Sequence, residues 1–91
     1  MINSLAALPN IGPKSTQMLE QAGITSLQQL RGLGSVAAYV QVKRAGGPVS
    51  LNLLWALEAA LSNQPWQEVA RLHRTSLLLA LEEYEKQNVM P

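Results

Sequence analysis

The spacing of apolar positions predicts helices along most of the chain. Between residues 13 and 22, Ser15, Met18, Leu19 and Ala22 fall at i, i+3, i+4 and i+7, which places them on one face of a helix. Leucine, alanine, glutamine and glutamate fill the stretches between glycines, and no segment alternates apolar and polar residues as a strand would. The pattern therefore predicts an all-α fold, a compact bundle of about six helices that forms one domain over residues 1–91.

Glycine and proline mark the ends of the first two expected helices. A short helix is expected over residues 3–8, before Pro9. A second helix is expected to begin at Pro13, where a missing N–H costs nothing. It should end at Gly23 in a left-handed cap, with Ile24 packing back on Leu19.

Small polar residues mark the starts of the next helices. Thr25 and Gln28 have the spacing of a capping box, which predicts a short third helix ending at residues 32–34. Ser35 is expected to cap a fourth helix, which should end at the clear break over residues 45–48.

The segment from residue 51 to 62 is the most apolar of the chain. Ser50 is expected to cap it, and Glu58 is its one charged residue. A helix that is apolar around nearly its whole circumference is buried on most sides, so this helix is expected at the centre of the bundle with Trp55 in the core.

The C-terminal part contains the candidate protein interface. A short turn of helix is expected over residues 66–70, followed by a last helix that begins with Leu72. Three consecutive leucines, Leu77, Leu78 and Leu79, cannot all face one core, so at least one should project outward. Together with Trp66 after the break at residues 63–65, this run is a candidate protein interface. The simpler alternative is that the three leucines are core.

Residues 8–15, LPNIGPKS, resemble the helix-hairpin-helix motif of non-specific DNA-binding proteins. In that motif a turn presents backbone N–H groups and a helix N-terminus to a phosphate, and Lys14 would add a charge. Asn10, Ile11, Gly12 and Lys14 are the candidate nucleic-acid contacts, although Asn10 stands where the motif usually has glycine. Such turns are also common packing elements without a ligand. A fainter copy occurs at residues 32–35, GLGS.

Composition narrows the possible functions. Charged residues make up 14% of the chain, below the roughly 25% of ordinary domains, while apolar residues make up 47%. This profile excludes intrinsic disorder, and the absence of cysteine excludes a disulfide scaffold and a cysteine-based zinc site. Residues 1–50 contain four basic residues and one acidic, whereas the remainder contains three basic and five acidic. An anionic partner would therefore favour the N-terminal half, and the glutamates at 82, 83 and 85 are expected to form a solvated face.

No arrangement typical of catalysis is present. His73 is the single histidine, aspartate is absent, and no nucleophile stands in a recognisable pattern with a base. His73 is therefore expected at the surface or partly buried. We expect no enzymatic activity, no metal and no cofactor. The chain shows neither a signal peptide nor a run long enough to span a bilayer, so a cytoplasmic protein is expected.

At the level of the whole chain, the order and spacing of several blocks resemble the C-terminal domain of the TfoX (Sxy) family. The blocks are residues 8–15 (LPNIGPKS), 22–24 (AGI), 30–34 (LRGLG), 37–39 (AAY), 50–58 (SLNLLWALE) and 77–81 (LLLAL). The resemblance covers roughly residues 5–83.

The resemblance implies an all-helical fold without enzymatic activity. Longer members of the family have an additional N-terminal α/β domain and regulate natural competence in bacteria together with a cyclic-AMP receptor protein. The hypothesis is therefore a protein-binding module in bacterial transcription control, whose partner is a second copy or a transcription regulator. The alternative is weak, sequence-independent DNA binding through the hairpin at residues 10–14.

Overall fold

The computed structural model describes residues 11–47 and 49–87, and within them it contains helices and no strand. The five helices are α1 (Pro13–Gln21), α2 (Leu27–Arg44), α3 (Leu51–Ser62), α4 (Trp66–Leu72) and α5 (Arg74–Gln87). The all-α prediction is confirmed. The helix expected over residues 3–8 lies outside the described residues, and the expected third and fourth helices form one kinked element, α2.

The end of α1 has the predicted geometry. Gly23 has a φ of +89°, its N–H donates to the Glu20 carbonyl, and the Ile24 N–H donates to the Leu19 carbonyl at 2.9 Å. This pair of bonds is the Schellman motif, in which a glycine in the left-handed conformation closes the helix. Leu19 and Ile24 are both fully buried, which anchors the end of α1 in the core.

The start of α2 lies one residue later than predicted. Ser26, not Thr25, is the N-cap, and its side chain accepts a hydrogen bond from the Gln29 N–H at 3.1 Å. Gln29, not Gln28, is its partner, and the side-chain oxygen of Gln29 accepts from the N–H of Thr25, one residue before the N-cap, at 2.8 Å. Thr25–Gln28 and Ser26–Gln29 have the same spacing, so the capping pattern alone does not choose between the two registers.

Gly34 produces the kink in α2. It has a φ of +84° and a ψ of 168°, outside the helical region, and the helix resumes directly after it. The prediction that Ser35 caps a new helix is wrong. Ser35 is buried, and its hydroxyl donates to the Glu58 carboxylate of α3 at 2.7 Å rather than accepting from an N–H of its own helix.

The helix α3 has the predicted bounds, with Asn63 in the left-handed conformation at its end; Ser50 occupies the N-cap position, but its side chain makes no capping hydrogen bond. Half of its residues are buried, which confirms the predicted burial and places Trp55 in the core. The buried residues are Leu53, Leu54, Trp55, Leu57, Ala59 and Ala60.

Packing is shared between two helices rather than organised around α3 alone. The helix α2 packs against α1, α3 and α5, while α3 packs against α2 and α4, and α4 also contacts α5. In α2, Tyr39 and Val40 are buried and Val36 is half-buried. The core therefore lies between α2 and α3, and α1, α4 and α5 cover it.

The C-terminal helices divide differently from the prediction. Leu72 was expected to begin the last helix, but it ends α4 and its side chain is 59% exposed. His73 separates α4 from α5 and is half-buried, as expected. The short turn predicted from Trp66 is a helix of seven residues.

Candidate functional site

A groove lies where the first turns of α1 and α3 meet the start of α4. Its volume is about 370 Å³. The helix α1 contributes Lys14, Ser15 and Met18 to its lining, and Trp66 contributes from α4. The groove is thus built from parts of the chain more than fifty residues apart.

Local sequence explains how α1 presents Lys14 to the groove. Gly12 is the N-cap and Pro13 occupies the first helical position, where its missing N–H leaves no bond unmade. The Thr16 N–H and hydroxyl both donate to the Gly12 carbonyl, at 2.9 and 3.0 Å, which secures the first turn. Lys14 follows on this turn and is exposed.

The helix α3 and its N-cap residue contribute four residues to the lining of the groove. Leu53 and Ala56, three residues apart on one face of the helix, contribute apolar side chains to the groove. Asn52 and the N-cap residue Ser50 contribute polar groups. Neither α1 nor α3 has an acidic residue in its first turn. Lys14 is the one charged side chain among the described residues that line the groove.

The two tryptophans have opposite environments, as the sequence predicts. Trp55 is 5% exposed and belongs to the core, whereas Trp66 is 41% exposed and lines the groove. Pro65 precedes Trp66 and serves as the N-cap of α4, so the indole stands at the very start of its helix.

The predicted hairpin contacts are separated by the structure. Ile11 is 7% exposed and belongs to the core, while Gly12 and Lys14 are exposed. Asn10 lies outside the described residues. Gly12 has extended backbone angles, with a φ of −89°, so its conformation does not itself require glycine.

The fainter hairpin copy at residues 32–35 is a kink within a helix. Gly34 alone departs from helical angles inside α2, and Gly32 remains in the helix. Leu33 is exposed and Ser35 is buried against Glu58. None of these residues lines the groove, so the structure does not bring the two glycine motifs together in one site.

The leucine run divides as the helical spacing predicts. Leu77 is 9% exposed, Leu78 is half-buried and packs on the core, and Leu79 is 61% exposed. The prediction that one of the three projects outward is confirmed at Leu79. Trp66 was grouped with this run in the candidate interface, yet it lines the groove and none of the three leucines does so.

Two exposed ion pairs involve the carboxylates of the C-terminal half. Lys43 at the end of α2 pairs with Glu85 of α5 at 2.9 Å, and Arg71 pairs with Glu68 within α4. The hydrogen bond and the charge of Glu85 raise the pKa of Lys43. Glu85 is half-buried, whereas Glu82 and Glu83 are exposed, as expected of a solvated face.

Part of the groove was missed by sequence reasoning. Ser15, Ser50 and Asn52 are recognisable only as helix-start residues, and nothing local indicates that the two helix starts face one cavity. Over the described ranges 11–47 and 49–87, no three histidine, cysteine or acidic side chains cluster as metal ligands. Within the same ranges no helix has the length and hydropathy needed to cross a bilayer.

The kinked α2, the buried α3 and the mixed groove define a small all-helical domain. The family model described as the TfoX C-terminal domain matches residues 1–81, and the chain belongs to this family.

One similar protein is much longer than this chain, and another has nearly the same length. The DNA transformation protein TfoX of Haemophilus influenzae is 33% identical over 87 residues, which cover 96% of this chain. The chain spans 40% of that relative's length. The crystal structure of an uncharacterized protein from Listeria monocytogenes is 30% identical, with a TM-score of 0.77 over 92% of this chain and 94% of that one. The same fold therefore occurs both within a longer chain and in one of about this length.

Proposed function

We propose that this chain is a non-enzymatic protein-interaction domain that acts in bacterial transcription control. The relative from Haemophilus influenzae is named a DNA transformation protein, which supports a role in competence. The observation on which the proposal rests is the exposed apolar surface at the C-terminal end, where Leu72 and Leu79 are each more than half exposed.

The interaction surface is centred on α5. Leu77 is buried and Leu78 packs on the core, so these two residues support the position of Leu79 rather than reaching a partner. Leu79 has Thr75, one turn earlier, and Glu82 and Glu83, one turn later, on the same exposed side of the helix. An apolar residue within a polar rim is the usual composition of a protein-binding patch.

The partner proposed for this surface is a transcription regulator or a second copy of the chain. A tagged chain used as bait in lysate of the bacterium that encodes it should capture the regulator, and the capture should survive nuclease treatment. Substituting Leu79→Gln should reduce capture at least about fivefold, because truncated interface anchors commonly cost more than 1 kcal/mol.

Leu33→Gln is the matched control, because Leu33 is an exposed leucine on a different helix, α2. It should leave capture unchanged. Light scattering after size-exclusion chromatography distinguishes the two partners, since self-association alone would appear as a dimer of the purified chain. Equal capture by the wild-type chain and the Leu79→Gln chain would reject α5 as the interface.

Weak DNA binding through the hairpin at residues 10–14 remains the second candidate function. The specific observation in its favour is that Lys14 is exposed on the first turn of α1, in a groove whose described lining contains no carboxylate. Binding of duplex DNA should then fall steeply with salt, and Lys14→Ala should reduce the slope of log K against log salt by about one unit.

Lys86 provides the control for this second candidate, because it is an exposed lysine near the opposite end of the chain. Lys86→Ala should leave the salt slope unchanged. Titration with duplex DNA at low salt that shows no binding would remove the hairpin hypothesis without affecting the proposed protein interface.

A further inference from the structure

The groove between α1, α3 and α4 combines three kinds of chemistry in one cavity. Its apolar lining residues are Met18, Leu53 and Ala56. Lys14 supplies a positive charge, and Trp66 supplies an exposed aromatic face. The proposed protein interface at Leu79 uses none of these groups.

The charge and the ring limit which ligand fits the groove. Lys14 has no carboxylate beside it among the described lining residues, so the groove favours an anion. An exposed indole binds flat π-systems by stacking, and nucleic-acid bases are flat regardless of their sequence. A ligand that satisfies both groups contains a flat ring and a negative charge in one small molecule.

We infer that the groove binds a nucleotide unit, with the base stacked on Trp66 and the phosphate paired with Lys14. Asn52 and Ser50 also line the groove and offer donors and acceptors to the sugar or the base edge. The volume of about 370 Å³ falls within the roughly 300–1,000 Å³ of small-ligand sites, which suits a single nucleotide.

This inference goes beyond the proposed protein-binding function and shares only Lys14 with the hairpin hypothesis. A duplex bound through the hairpin would depend on Lys14 and not on Trp66. A nucleotide in the groove would depend on both residues, and neither mode would depend on Leu79.

Nuclear magnetic resonance of the ¹⁵N-labelled chain tests the inference directly. The chain contains two tryptophans, and each gives one indole N–H signal. Titration with adenosine 5′-monophosphate at low salt should shift the signal of Trp66 in a saturable manner. The signal of the buried Trp55 should remain in place and serves as an internal control.

Two substitutions assign the contacts. Lys14→Ala should weaken binding of the nucleotide about tenfold, as expected for loss of a hydrogen bond to a charged group, while Lys86→Ala should not change it. Trp66→Ala should weaken binding at least about fivefold, from the loss of stacking. Trp66→Tyr retains an aromatic ring and should retain most of the affinity, which separates stacking from any effect of the alanine variant on folding.

The choice of ligand distinguishes free nucleotides from nucleic-acid strands. If the groove binds nucleotide units of a nucleic-acid strand, a short oligodeoxyadenylate should shift the Trp66 indole signal at lower concentration than the mononucleotide. If it binds a free nucleotide, the mononucleotide should bind at least as well as the strand.

Adenosine without phosphate should bind more weakly than the nucleotide and should be insensitive to Lys14→Ala. The inference is overturned if neither nucleotide ligand shifts Trp66, or if adenosine binds as tightly as its monophosphate. The second result would indicate an apolar peptide or ring site.

Discussion

The α2–α3 pair and the α4–α5 pair each contain one leucine-rich helix, α3 and α5, but the two helices are buried to different extents. In α3, six of twelve residues are buried, whereas in the fourteen residues of α5 only Leu77 is. Charge accounts for the contrast. Glu58 is the one charge of α3, and its carboxylate is bonded to Ser35, whereas α5 contains five charged residues distributed around it. A helix whose charges must remain in water cannot turn every leucine inward, so leucine content alone does not predict burial.

The largest expected effect on stability comes from replacing a buried leucine of α3, compared with an exposed leucine of α5. Leu57 on α3 is fully buried and Leu79 on α5 is mostly exposed. Leu57→Ala should lower the free energy of unfolding by about 2–5 kcal/mol, since it removes apolar contacts and leaves a cavity. Leu79→Ala should change it by less than about 0.5 kcal/mol. Urea denaturation followed by circular dichroism measures both, and equal losses would show that α5 is buried as deeply as α3.

A smaller effect tests the kink that shapes α2 against α3. Gly34→Ala should cost about 1–2 kcal/mol, because its φ of +84° is unfavourable for any residue with a Cβ. Gly32→Ala, two residues earlier within the helix, should instead stabilise by about 0.5–1 kcal/mol. A Cβ at either position meets no atom within 4 Å, so the opposite signs would come from backbone conformation alone. Thermal or urea unfolding of both variants provides the measurement, and two changes of equal sign would contradict the kink.

Removing the hydrogen bond between Ser35 of α2 and Glu58 of α3 should have a still smaller effect on the free energy of unfolding. Ser35 is buried and its hydroxyl donates to the Glu58 carboxylate. Ser35→Ala should lower the free energy of unfolding by about 1 kcal/mol, because the half-buried Glu58 carboxylate loses this hydrogen bond. Ser76→Ala on the exposed side of α5 is the control, and urea unfolding should find it neutral or slightly stabilising.

The smallest expected effect concerns the link between the two helix pairs. Glu85 raises the pKa of Lys43, so the ion pair contributes stability below the ordinary lysine value of 10.5 and loses it as pH rises through the raised value. Lys43→Met should therefore slightly lower the melting temperature at neutral pH and low salt, and added salt should shrink the difference. Lys86→Met is the control, and an equal shift in both variants would show that the pair has no specific role.

The helices could be predicted from sequence where the signals were local. Gly23 in its left-handed cap and the bounds of α3 follow from residues within one turn of each helix end. The start of α2 was misplaced because two overlapping pairs of residues have the same capping pattern. Leu72 was assigned to the wrong helix because His73 is not a residue that normally breaks helices.

Local sequence patterns do not predict the groove. Lys14, Asn52 and Trp66 are separated by 38 and 14 residues along the chain and meet only through packing of three helices. The hairpin pattern did identify Lys14 as an exposed cation, and the open position of Trp66 followed from Pro65. What the sequence lacked was any indication that these two residues line the same cavity.

The attachment of α5 has a consequence for motion in the folded domain. One buried leucine and an exposed ion pair to a residue 42 positions away hold this helix, together with the half-buried side chains beside Leu77. Releasing α5 therefore requires less free energy than unfolding the α2–α3 pair. Backbone amides of α5 should exchange with solvent before those of α3, and limited proteolysis should begin near His73, leaving the other helices protected.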